Sequence, residues 1–246
     1  MINRIIKEVY ENKNNGYKPT TGVYVSNIIF EGDFDKEVSK QQFHTVPTTF
    51  AEVEAHDSQK GLQNNYKTLA LRSHDGKNHT FDQPGDFWAE ENPANYSYTD
   101  AYHSSPELKA MLEWFQVEKC RIRVFQLQAN SHTAMHTDMD NERGQEFGET
   151  LRVIVQLDDV EGGSWLRFRT ADSDVSVSLK KGQFVIFNPD NTAHQSDNQS
   201  NLPRNAVMMI VKRNEWLDNL VNNSKPVVID TKSLMIKSPA DTLELV

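Results

Sequence analysis

Cysteine is nearly missing from this chain: Cys120 is the single one among 246 residues. An internal disulfide is therefore impossible, and the composition points to a reducing compartment. A chain of this length can bury a substantial core without such staples. Cys120 opens an apolar-rich stretch, the usual place of a small buried hydrophobe rather than of a nucleophile. Positive charge is also short. The formal net charge of −9 leaves no basic face for nucleic acid or a membrane surface. No apolar run is long enough for a membrane helix, and the N-terminus lacks the apolar stretch and small-residue cleavage site of a signal peptide. Internal repeats and low-complexity tracts are absent. These absences predict a cytoplasmic, one-domain protein in which triplets such as Asn95-Tyr96-Ser97 are chance matches to a glycosylation signal.

What is there falls into two halves. Ile2, Ile5, Ile6 and Val9 have helical spacing. Residues 12–100 are polar, with strand-like islands at 23–30 (VYVSNIIF) and 66–73 (YKTLALRS), and Asp75 to Asn95 reads as a long loop of the kind that forms functional lids. A helix follows, capped by Ser104 or Ser105, with Pro106 in its first turn and Leu108, Met111, Leu112 and Phe115 on one face. From residue 121 the period changes to two. RIRVFQLQ, ETLRVIVQL, SWLRFRT, DVSVSLK, QFVIFN and AVMMIVK succeed one another, separated by turn signals such as Gly162-Gly163, Lys181-Gly182 and Asn188-Pro189. Short strands so punctuated predict a β-barrel or jelly roll. A last helix carries Trp216, Leu217, Leu220 and Val221, and a strand is expected at PVVID.

The segment from Ser131 to Gly144, SHTAMHTDMDNERG, crowds two histidines and three carboxylates into a short stretch. A helical zinc site would use His132 and His136, but Thr133 stands where that motif has its glutamate. A calcium loop would use Asp138, Asp140 and Glu142, but Arg143 stands at the glycine position and Gly144 comes one place late. The third reading pairs His136 and Asp138, two apart and able to point the same way, with His194 from a strand brought alongside. Two histidines and a carboxylate on one face of an octahedral ion leave three positions open, as in non-haem Fe(II) oxygenases. Arg204, ten positions beyond His194, opens the apolar strand AVMMIVK. It must meet either solvent or a buried anion, and arginine suits a carboxylate.

With these residues the chain resembles the Fe(II)/2-oxoglutarate-dependent oxygenase superfamily over residues 120–213. Within that superfamily it is most similar to the aspartyl/asparaginyl β-hydroxylase and amino-acid hydroxylase branch, through LQANSHTAMHTD, GETLRVIVQL and LKKGQFVIFNPDNTAHQS. The resemblance implies a mainly β fold with flanking helices and a double-stranded β-helix (jelly roll, cupin-like) core. Residues 1–119 would supply N-terminal helices and substrate loops, and 214–246 a C-terminal helix and tail. It implies His136, Asp138 and His194 as the catalytic metal ligands for Fe(II), Arg204 as the partner of the distal carboxylate of 2-oxoglutarate, and Arg152 as a second cosubstrate contact. Ascorbate is the implied reductant and molecular oxygen the oxidant, with succinate and CO2 released as a substrate is hydroxylated. Many members of the branch have glycine at the position of Asp138, so this chain fits the three-ligand site and argues against a halogenase.

Substrate residues are thinner. YKTLALRSHDG is similar to the segment preceding the core in free amino-acid hydroxylases, which makes Arg72 a candidate for a substrate α-carboxylate, with His74, Asp75 and Trp88 beside it. Trp165 and Arg167 are candidates to line the pocket, Trp165 alternatively to join the core. The expected substrate is a free amino acid or an Asp/Asn-type residue in a peptide. The rivals are a non-catalytic cupin-like metal- or ligand-binding module, and a metal hydrolase or isomerase, which leaves Arg204 unexplained.

Overall fold

The computed structural model describes residues 23–45, 66–78, 92–133, 135, 150–160, 163–169, 174–189 and 192–236. The stretch carrying Ile2 to Val9 lies outside them.

Two sheets form the core. From β5 onward the chain alternates between them: β5 (Lys119–Leu127), β7 (Thr150–Gln156), β10 (Gln183–Phe187) and β12 (Arg204–Lys212) enter the larger sheet, while β6 (Ser131–His132), β8 (Ser164–Arg169), β9 (Asp174–Val177) and β11 (Ala193–Asn198) enter the smaller. The orders β10-β7-β12-β5 and β6-β11-β8-β9 are those of a double-stranded β-helix, the jelly roll that the strand periodicity predicts. Strands from the N-terminal half widen the larger sheet: β1 (Val23–Glu31) on β10, and β3 (Tyr66–Ser73) on β5, with β2 (His44–Thr45) and β4 (Ser97–Tyr98) on β3. On its outer edge β1 also takes a parallel strand, β13 (Val227–Asp230), where PVVID predicts one.

Both faces of the larger sheet are covered, which is why all seven residues of β7 are buried. Period two splits each strand between two cores. Val153, Val155, Val207, Met209, Val211, Phe184 and Ile186 pack under a helical layer. Ile154, Val185, Phe187, Ala206 and Met208 face the smaller sheet and meet Leu166, Phe168 and Val177. The layer consists of α1 (Phe34–Ser39), α2 (Asp100–His103), α3 (Pro106–Trp114), α4 (Glu215–Asn223) and α5 (Thr231–Ile236). None of the described helices is long and apolar enough to cross a membrane.

The stripe of α3 lies as the spacing predicts: Leu108, Met111 and Leu112 are fully buried, and Phe115 sits just past the helix end. Its cap differs from the expectation. The Ser105 hydroxyl makes no capping bond and is buried without a partner. Glu37 of α1 takes over, its two carboxylate oxygens accepting from Glu107 N (3.0 Å) and Leu108 N (2.9 Å). Glu107 returns the favour, accepting from Asp33 N at the start of α1 (3.0 Å), and it lies 3.0 Å from the Thr231 hydroxyl at the start of α5. Two buried carboxylates thus hold three helix starts together, where free amide N–H groups favour negative charge.

One glycine is required by close approach. Gly182 turns into β10 at φ +76°, and a Cβ there would lie 1.8 Å from the Phe30 carbonyl oxygen. Cys120 is buried in β5, as a structural cysteine.

Candidate functional site

The space between the sheets is where inward-facing polar side chains collect. His194 is the second residue of β11. It pairs across the smaller sheet with Phe168, a core residue, so its ring shares the inward face. The imidazole leans on Phe187, with ring centroids 4.9 Å apart. Its Nδ1 lies 3.1 Å from the Thr192 carbonyl oxygen. A carbonyl only accepts, so Nδ1 carries the proton and, in the neutral ring, Nε2 carries the lone pair. A ligating histidine anchored in this way is the usual arrangement at metal sites.

Beside β11 runs the short β6. Thr133 N donates to the Ser196 carbonyl (2.8 Å), and Ser196 N donates to the Thr133 hydroxyl (2.9 Å). The chain is thereby tied to the β11 strand just before residues 136–138. His136 and Asp138 themselves lie outside the described residues, as does Trp88. Among the described residues no three His, Cys, Asp or Glu side chains gather as metal ligands.

Arg204 opens β12, as the sequence predicts, and is 3% exposed. Its Nε donates to Gln156 Oε1 at 2.8 Å. Nη1 and Nη2 have no hydrogen-bond partner among the described residues. Burial pushes its pKa down to about 10, with Asp158 opposing the shift, so the group stays cationic at neutral pH. A buried cation with an unspent edge is costly unless an anion meets it.

Behind Arg204 stands a set of polar groups that the sequence analysis does not single out. Gln156 Nε2 donates to Asp158, to Oδ1 at 2.6 Å and to the carbonyl at 3.1 Å. Asp158 Oδ2 accepts from Asn205 N (2.8 Å) and Nδ2 (2.9 Å). Asn205 Oδ1 accepts from Gln126 Nε2 at 3.0 Å. Burial raises the Asp158 carboxyl above the usual aspartate value, against the hydrogen bonds from Asn205.

Arg152 is 5% exposed on β7, with Nη1 3.4 Å from Met208 Sδ. Its register partners are Phe187 and Ile210, which puts it on the inward face near His194. Arg123, also absent from the sequence-based candidates, pairs with Met208 from the other flank of β12 and shares that face. Next to it Tyr66 stacks on Phe125 at 4.5 Å, its phenol pushed up by burial while Arg123 and Arg121 oppose the shift. The signal for Arg123 was its alternation with Ile122 and Val124 in RIRV, which puts it on the opposite face from the helices.

The candidates Trp165, Arg167 and Arg72 do not join this site. Trp165 pairs with Asp197 on the face away from Leu166 and Phe168, and is 36% exposed, so it neither lines the inter-sheet space nor joins the core. Arg167 shares that outer face and is bonded to Asp197 at 2.6 Å. The alternation in SWLRFR already groups Trp165 with two arginines rather than with Leu166 and Phe168. Arg72 is a structural clamp. Its Nη2 donates to the carbonyls of Pro93 (2.8 Å) and Tyr96 (3.1 Å), Nη1 donates to that of Lys119, and the guanidinium lies 4.8 Å from the Tyr98 ring centre. Three of the four N–H groups on its terminal nitrogens are spent on main chain, which ties the guanidinium to the chain around it. His74 is exposed and packs edge-on to Tyr96, and Asp75 organises the turn to Lys77.

No family model matches the chain, and no curated protein does. Solved structures similar to it include a Trichoplax adhaerens prolyl hydroxylase in complex with a hypoxia inducible factor oxygen degradation domain peptide fragment. It is 13% identical, with 86% of this chain and 90% of that one covered and a TM-score of 0.48. A Pseudomonas putida prolyl-4-hydroxylase is 11% identical over 87% of this chain and 100% of that one, with a TM-score of 0.43. A Burkholderia pseudomallei oxidoreductase of the 2OG-Fe(II) oxygenase family is 10% identical over 73% of this chain and 77% of that one, with a TM-score of 0.42. These likenesses assign no residue and no reaction. The jelly-roll assignment stands on the chain's own strand order.

Proposed function

We propose that this chain is an Fe(II)- and 2-oxoglutarate-dependent dioxygenase that hydroxylates an amino acid, free or as an Asp/Asn-type residue in a peptide. The observation that carries the reading is Arg204: a buried guanidinium, opening the strand of the barrel that follows β11, with no hydrogen-bond partner for either terminal nitrogen among the described residues. A dicarboxylic cosubstrate supplies the missing anion. His194 supports the metal side, since its Thr192 anchor fixes the proton on Nδ1. His136 and Asp138 complete the proposed ligand set. His136 lies three positions past Thr133, which directly follows β6, a reach of about 11 Å at full extension.

The bound iron would supply oxygen activation coupled to decarboxylation of 2-oxoglutarate. The protein's own groups bind and orient: His136, Asp138 and His194 hold the ion, Arg204 holds the distal carboxylate, and Arg152 contributes a second positive group on the same wall. Phe187, Phe168 and Ile154 keep the space apolar and exclude water. Arg123 and Arg152, both inward, favour a substrate that itself carries a carboxylate, as an amino acid does.

The test is succinate formation from 2-oxoglutarate with Fe(II), ascorbate and oxygen, screened against amino acids and peptides. Turnover stimulated by a subset of them, and lost in His136→Ala and Asp138→Ala, is the expected result. Undiminished turnover in those variants removes the metal assignment, and 2-oxoglutarate binding with no succinate from any substrate leaves the cupin-like binding module.

A further inference from the structure

We infer that Gln156 and Asp158 are positioning residues: they turn Arg204 into an immobile end-on fork and so set the length of 2-oxo acid that the barrel accepts. This rests on the cosubstrate reading of Arg204 above. An arginine can meet a carboxylate side-on, through Nε and one Nη, or end-on, through both Nη atoms. Here Gln156 Oε1 occupies Nε at 2.8 Å, so the side-on edge is closed and the end-on edge is the one left.

The glutamine amide cannot turn over. Its nitrogen faces two acceptors of Asp158, the carboxylate Oδ1 and the main-chain carbonyl. Its oxygen must then face Arg204. Asp158 is fixed in turn by two donors of Asn205, and Asn205 by Gln126. Every donor and acceptor in this run has one possible role, and the run crosses β7, β12 and β5 at one end of the barrel. The charge balance matters as much as the geometry. Asp158 hydrogen-bonds Gln156 and Asn205 and not Arg204. Its charge therefore offsets the guanidinium from a distance without consuming the terminal N–H groups a ligand needs. A fork that cannot shift rejects a carboxylate delivered one methylene too near or too far. One methylene is typically worth about 10–200-fold in such a site.

Direct binding tests this without turnover. 2-Oxoglutarate, 2-oxoadipate and oxaloacetate are titrated by calorimetry into the full chain with Mn(II) under nitrogen. The wild type should prefer 2-oxoglutarate by about tenfold or more over both. Gln156→Leu removes the acceptor at similar size and frees the guanidinium to rotate. Its 2-oxoglutarate Kd should rise about tenfold, and its preference over the other two acids should shrink to within about threefold. Asp158→Asn should move both readouts the same way: held to Asn205 by its one oxygen, it turns an NH2 toward Gln156 and forces that amide over. Melting curves confirm that each variant is folded, and if Gln156→Leu is not, Asp158→Asn carries the test. Wild-type affinity and wild-type length preference in a folded variant, with binding lost in Arg204→Met, overturn the positioning role and leave the proposed function standing. A wild type that binds none of the three acids, or an Arg204→Met variant that binds them as tightly, overturns both.

Discussion

At the scale of single residues, two buried cations behave differently. Arg204 keeps its charge with no hydrogen-bond partner for its terminal nitrogens among the described residues, and Asp158 offsets that charge without bonding to it. Arg204→Met takes the donor from Gln156 Oε1 and the compensating charge from the buried Asp158, so unfolding free energy without ligand should fall by about 1–3 kcal/mol. The same variant should lose 2-oxoglutarate binding. Urea unfolding with and without 2-oxoglutarate measures both, and a variant that is as stable as the wild type or still ligand-responsive contradicts this account. Lys119, on the helical side of β5, has its charge capped by main chain: Nζ donates to the carbonyls of Phe115 (2.5 Å) and Val117 (3.2 Å) after the end of α3. Burial, helped by the nearby Arg72, pushes its pKa down to about 8 from 10.5. Below about 8 both folded and unfolded chains hold the proton, and the burial cost is fully felt. Between about 8 and 10.5 the folded chain has released it while the unfolded chain has not, so this group's contribution to stability rises with pH. Relative to Lys119→Met, the wild-type unfolding free energy from urea curves should gain from pH 7.5 to 10, by about 1–3 kcal/mol in all. A difference that stays flat across that range removes the depressed pKa.

At the scale of elements, the helical layer depends on carboxylates exchanged between distant segments. Glu37 accepts from the first amides of α3, and Glu107 accepts from α1 and lies against the start of α5. Glu37→Gln puts an NH2 against one of those amide donors, and unfolding free energy should fall by about 1–3 kcal/mol. Ser105→Ala, by contrast, should cost little or nothing, because that hydroxyl caps nothing; denaturant curves of the two variants decide which residue is the cap. None of this is legible in the sequence. The Ser-Pro-Glu start of α3 reads as a self-sufficient cap, and nothing local says that an acid seventy positions earlier does the work. Strands were legible because their alternation is local, and Arg204 because it interrupts an apolar strand. Gln156 and Asp158 were not, since a glutamine and an aspartate at a strand end read equally well as the beginning of a turn. Trp165 is expected in the pocket or the core, but it shares strand parity with Arg167 and Arg169, which puts it on the outer face.

At the scale of the whole molecule, the larger sheet separates two tasks by strand parity. Val207 belongs to the core under the helices and Met208, one position on, to the space between the sheets beside Arg123 and Arg152. Val207→Ala should lower the unfolding free energy by about 1–3 kcal/mol with 2-oxo acid affinity unchanged. Met208→Ala should change ligand or substrate affinity by more than it changes the melting temperature. Paired melting and calorimetry on the two variants tests the division, and equal effects on both readouts would show that the faces are not independent.

The parallel pairing of β13 with β1 carries a different consequence. β1 is among the earliest described strands to be synthesised, yet its outer edge is completed by residues 227–230, and the Thr231 hydroxyl closes onto the Glu31 carbonyl two hundred positions back at 2.8 Å. Until those residues have been made, that edge has no partner among the described strands. Closure of the sheet is therefore a late event, and the interval before it is when the chain is most open to capture by a chaperone or by another copy of itself.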